Sequence, residues 1–118
     1  MPETYQIRGE IVIPQDAAPF KPARVLVELE DISRADAPSE VIASIQVAAE
    51  ELRGGDVIPF ALEVPADVLD EKHLYSVRAH LDVSGSGEIE RQDYITTQTY
   101  PVLTRGYGSE VRVAVRKV

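Results

Sequence analysis

Apolar and polar residues alternate in short runs along this chain, with turn-forming residues between the runs, a pattern that predicts β-strands packed as a sandwich. The first run sets Tyr5, Ile7, Gly9, Ile11 and Ile13 on one face and Gln6, Arg8 and Glu10 on the other. Pro14, Pro19 and Pro22 end it, because proline has no N–H to offer a ladder. The second run turns Val25, Val27 and Leu29 inward against Glu28 and Glu30. The stretch 41–52 fits two periods. As a strand, Val41, Ala43, Ile45, Val47 and Ala49 share a face; as a helix, Val41, Ile45, Ala48 and Leu52 form a stripe with Gly54 as the stop. The longer alternation and the neighbouring strands favour the strand.

Gly54-Gly55-Asp56 then turns the chain into a run whose inward set is Ile58, Phe60, Leu62 and Val64. Pro59 within it belongs at an edge or a bulge. Residues 65–72 read as a loop with one helical turn around Asp67 to Asp70. A strong strand follows, with Tyr75, Val77, Ala79, Leu81 and Val83 on one side and Arg78, His80 and Asp82 on a solvated one. Ser84-Gly85-Ser86-Gly87 predicts a hairpin turn, since glycine supplies the positive φ angles of tight turns. The returning strand runs over 93–99, and Val111, Val113 and Val115 face inward from the last one. About seven antiparallel strands on one core predict an all-β fold, a single immunoglobulin-like β-sandwich spanning residues 1–118. Tyr75, placed after a loop containing Leu69, has the layout of a tyrosine corner, whose hydroxyl bonds backbone a few residues upstream. A plain buried strand tyrosine accounts for the same residues.

Composition supports this class and removes several functions. The net charge is −8, so the basic footprint that nucleic acid requires is missing. The absence of cysteine rules out disulfides, thiolate catalysis and cysteine-bound zinc in these residues. No apolar run approaches the roughly 20 residues of a membrane span. The opening Met1-Pro2-Glu3-Thr4 lacks a basic region followed by an apolar stretch, which predicts no signal peptide. On that reading the chain is either cytoplasmic or a mature domain whose leader has been removed.

Candidate chemistry is sparse. The histidines are His73 and His80, and no serine stands in a nucleophile elbow. His80 beside Asp82 or Asp93 could form a hydrolytic pair, but alternate residues on a solvated strand face ordinarily make a mixed polar surface. Asp31 and Asp36 bracket a loop that could bring two carboxylates together, yet calcium-loop spacing is missing. Asp31, Ser33 and Asp36 therefore read as a turn signature, their side chains accepting backbone N–H groups. No catalytic, cofactor or metal set follows. Tyr94, Tyr100 and Tyr107 could form a stacking platform for a sugar or a peptide; burial at strand edges explains them equally.

Four segments together resemble the YbaY/YscW family of small bacterial envelope lipoproteins, which includes pilotins of type III secretion secretins. They are the run Val25 to Ala37 with its Leu29-Glu30-Asp31-Ile32-Ser33-Arg34-Ala35-Asp36, then Ile58-Pro59-Phe60, Leu74 to Ala79, and Tyr100 to Gly106. The resemblance implies a non-enzymatic β-sandwich that binds a protein partner, such as an outer-membrane or secretin component, in the periplasm or at the outer membrane. It implies no cofactor and no active site. The lipid-accepting cysteine of the family is not among these residues.

Overall fold

The computed structural model describes residues 3–34, 36–48 and 50–118. Strands β1 (Thr4–Val12), β2 (Arg24–Asp31), β3 (Glu40–Val47), β4 (Val57–Pro65), β5 (Tyr75–Asp82), β6 (Tyr94–Thr96), β7 (Pro101–Val102) and β8 (Glu110–Lys117) carry the fold. A single 3-10 turn, Ala66–Val68, lies between β4 and β5. The chain is all-β, as its alternation predicts. The strand order is β3-β2-β5-β6-β8-β1-β4, with β7 paired to β5 away from this path.

Strand β8 joins the two halves of this order. The first part of β8 runs parallel to β1, Glu110 opposite Arg8 and Ala114 opposite Val12, and its end runs antiparallel to β6. The parallel pairing departs from the antiparallel expectation. It is possible because β1 and β8 lie at opposite ends of the sequence, so no tight turn has to join them. The ends of the order, β3 and β4, approach each other, which curls the sheet toward a closed barrel.

The core follows the parity of the strands. β4 alternates without a break, burying Ile58, Phe60, Leu62 and Val64 between exposed neighbours. Ile7 and Ile11 lie beside Leu62 and Ile58 in the β1–β4 ladder, and Ile13, Val25, Val27 and Leu29, with Val113 and Val115 of β8, complete the same buried cluster. Each such side chain removes apolar surface worth roughly 1.5–3 kcal/mol from water. Pro59 sits on β4, the last strand of the order, where a missing N–H costs least.

Three expectations require correction. Tyr5 does not share the buried face: it stands second from the start of β1 and is 48% exposed, so that face begins at Ile7. The 41–52 stretch is a strand over Glu40–Val47, but Val41 is not inward. The register shifts where Leu29 opposes Ala43 and Glu30 opposes Val41, leaving Ile42 as an extra residue that changes the phase of alternation. Ala49 lies outside the described residues. The turn after β5 is also wider than a hairpin. Leu81 pairs with Tyr94 and His80 with Ile95, so residues 83–93 form the connection and the returning strand is only Tyr94–Thr96.

Candidate functional site

Strand β5 is flanked by β2 on one side and by β6 and β7 on the other, and its burial is nearly complete on both faces. Its two ends carry the polar clusters of the molecule. At the Asp82 end, the face expected to be solvated is covered: His80, Asp82 and Asp93 are 7%, 2% and 0% exposed. The reason is tertiary. The 83–93 connection folds back over β5, and its backbone N–H groups find their acceptors in those carboxylates.

Asp82 accepts hydrogen bonds from the Gly85 N–H at 3.0 Å, the Gly87 N–H at 2.9 Å and the Arg24 Nε at 3.1 Å. Gly85 and Gly87 both have φ near +80°, which glycine adopts without strain. Asp93 accepts from the Val83 N–H at 2.9 Å and the Glu90 N–H at 3.1 Å, and its Oδ2 lies 2.7 Å from His80 Nε2. Burial pushes both carboxyls up, but the bonds from Gly87, Arg24 and Gly85, and from His80, Val83 and Glu90, outweigh it. Both stay below the usual carboxylate range.

His80, Asp82 and Asp93 place one ligand-type atom each within 4.8 Å of one another, a spacing compatible with a metal ion. The donors already present argue for a different role. Four backbone N–H groups, one guanidinium and one imidazole occupy the two carboxylates. A cation there would have to displace the groups that hold the loop. The His80–Asp93 pair, read from sequence as a hydrolytic candidate, is likewise enclosed and engaged in fastening the connection to β5.

The opposite end of β5 contains the turn signature. Asp31 Oδ1 accepts from the Ser33 N–H at 3.0 Å and the Ser33 hydroxyl at 2.6 Å. The Ser33 Oγ in turn accepts from the Leu74 N–H at 2.8 Å, while Asp31 Oδ2 lies 2.7 Å from His73 Nδ1. Thr104 donates to the His73 carbonyl at 2.6 Å. Burial raises the Asp31 carboxyl, and the bonds from Ser33 and His73 bring it below its ordinary value. One aspartate and one serine therefore tie the loop after β2 to the loop before β5. Asp36 is exposed outside this knot, and Ala35 lies outside the described residues. Beside it, the Asp70 N–H donates to the Tyr75 hydroxyl at 2.8 Å.

The three late tyrosines occupy different settings. Tyr94 is buried with its ring stacked on Phe20, centroids 4.5 Å apart. Tyr100 is half-buried and accepts from the Ala114 N–H at 2.9 Å, and Tyr107 is exposed on the loop before β8. Sequence reasoning missed Arg24, His73 and Thr104. Arg24 lies directly opposite Asp82 in the β2–β5 ladder, a relation visible only once the register is known.

A model of the family described as the type III secretion system lipoprotein chaperone (YscW) matches residues 2–115. The solved structure of an alternative pilotin from the type II secretion system of Vibrio cholerae superposes with a TM-score of 0.78 at 28% identity, covering 98% of each chain. No curated protein matches this chain. The family match spans β1 to β8 and includes both the Asp31–Ser33 knot and the Asp82–Asp93 loop fastening, and on it the chain belongs to the YscW family of type III secretion system lipoprotein chaperones.

Proposed function

We propose that this protein is a non-enzymatic escort of the pilotin kind: it binds a secretin subunit in the bacterial envelope and helps deliver that subunit to the outer membrane. The observation that carries the reading is the family match over residues 2–115, supported by a pilotin structure of the same shape along the whole chain. The site geometry agrees in kind. The buried histidine and carboxylates fasten loops, leaving the surfaces and sheet edges as the parts that meet other molecules. The working compartment is the periplasm or the outer-membrane surface. These 118 residues contain no cysteine, so a lipid anchor of the family type attaches to none of them.

The test is co-expression with the secretin subunit of the source organism. The expected result is a stable complex that co-purifies, together with secretin multimers in the outer-membrane fraction that diminish when this protein is deleted. A secretin that assembles equally well without it, and never co-purifies with it, would overturn the proposal.

A further inference from the structure

We infer that the cavity where the turn after β1 meets the end of β8, lined by Asp16, Tyr94, Arg116 and Lys117, binds a small zwitterion of the phosphoethanolamine class, a phosphate joined to a primary ammonium group. The inference goes beyond the escort reading and does not depend on it.

The cavity is assembled by strand register. β8 runs parallel to β1 as far as Ala114 opposite Val12, and the same register carried two residues on sets Pro14 alongside Arg116. There the chain leaves β1 through a turn closed by the Ala17 N–H on the Pro14 carbonyl at 3.1 Å, with Asp16 inside it. On the other side of β8, Lys117 stands opposite Tyr94 in the β6 ladder. Lys117 shares the parity of the buried Val113 and Val115, so the inward face of β8 ends in a cation. With Pro14, Ala17 and Ala18 these residues line about 610 Å³, within the range of roughly 300–1,000 Å³ usual for small-ligand sites.

The polar groups of this cavity are unspent. Tyr94 is only 6% exposed, yet its hydroxyl bonds to no described residue, whereas the hydroxyls of Tyr75 and Tyr100 are both engaged. No unpartnered side-chain polar atom among the described residues is sealed from solvent, so the Tyr94 hydroxyl opens on the cavity that Tyr94 lines. Asp16, Arg116 and Lys117 carry opposite charges around one space, and none belongs to an ion pair among the described residues. A phosphate takes charge-assisted bonds from Lys117 and Arg116 and a proton from the Tyr94 hydroxyl, while an ammonium donates to Asp16. The apolar sides of Pro14, Ala17 and Ala18 suit the short carbon link between the two charges. The net charge of −8 repels a simple anion over longer range, and a ligand that carries its own ammonium escapes most of that repulsion.

The probes are O-phosphoethanolamine and inorganic phosphate, titrated into the full chain with calorimetry for affinity and NMR amide shifts for position. Phosphoethanolamine is expected to bind saturably, to shift the amides of Asp16, Tyr94 and Lys117, and to bind more tightly than phosphate. Asp16→Asn should weaken phosphoethanolamine about tenfold without weakening phosphate, because only the first has an ammonium to lose. Lys117→Gln, at an exposed strand end, should weaken both about tenfold. Tyr94→Phe keeps the ring stacked on Phe20 and removes only the hydroxyl, so both ligands should weaken several-fold while the urea midpoint holds. Vesicles of phosphatidylcholine with and without phosphatidylethanolamine separate the two sources of this chemistry. Sedimentation with the phosphatidylethanolamine vesicles, reversed by free phosphoethanolamine, assigns the ligand to a lipid headgroup; binding of the free compound alone assigns it to a soluble phosphoester. Absence of saturable binding overturns the inference, as do amide shifts confined to another region. Equal affinity for phosphate and phosphoethanolamine, or an Asp16→Asn variant that binds phosphoethanolamine as tightly as the native protein, overturns it too.

Discussion

Gly9 faces Phe60 across the β1–β4 ladder and Val111 across the β1–β8 pair, and a methyl group there has no room. An added Cβ would collide with the Val111 carbonyl oxygen and lie 2.6 Å from the Phe60 ring. Gly9→Ala should therefore destabilise the protein by about 1–3 kcal/mol, read as a lower urea midpoint. Charge is equally local. Asp93→Asn removes the partner of a buried imidazole and weakens two backbone bonds, so a loss of about 2–4 kcal/mol is expected in the same measurement. The pH dependence has a definite sign. The carboxyls of Asp31, Asp82 and Asp93 sit below their unfolded value of 3.8, so between the two values the unfolded chain binds more protons. Their stabilisation is complete above about pH 5 and falls away as pH drops through 3.8 and below the folded values. Urea midpoints from pH 6 downward should decline in that window for the native protein, and less steeply for Asp93→Asn.

Among the elements, β5 and the 83–93 connection form one unit fastened at both ends. Tyr75→Phe removes the acceptor of the Asp70 N–H and should cost about 1 kcal/mol, with faster amide exchange at Asp70 and little change at Ala79. A tyrosine that only filled space would leave Asp70 exchange unchanged. The legibility of elements divided along physical lines. β4 was plain, because one face is buried and the other open, and the residue type reports that directly. β5 was plain on its apolar side and misread on its polar side, because the connection that directly follows the strand folds back and supplies the N–H groups that make buried carboxylates tolerable. The bulge in β3 was silent, since an extra residue in a strand changes parity without altering composition.

The whole molecule is organised by pairings distant in sequence. The first strand lies beside the last, and β8 is shared between β1 and β6. Loop closure across the full chain must precede these contacts, so refolding should occur over milliseconds to seconds, as for other all-β sandwiches. Stopped-flow tyrosine fluorescence checks this, and a main phase in microseconds would contradict it. The same closure brings β3 and β4, the two ends of the strand order, close to each other.

By itself the amino-acid order determined the strand-forming segments, the apolar set of the core, and a family resemblance carried by short motifs. These are local properties, set by side-chain period, by glycine and proline, and by hydrogen bonds spanning a few residues. Only the tertiary structure decided that β1 and β8 run parallel, that His80, Asp82 and Asp93 are enclosed, and that Arg24 meets Asp82. It also decided which strands became edges. Each of these depends on register between segments far apart in the chain, and the period of a strand reports which face a residue takes without naming the strand that will cover it.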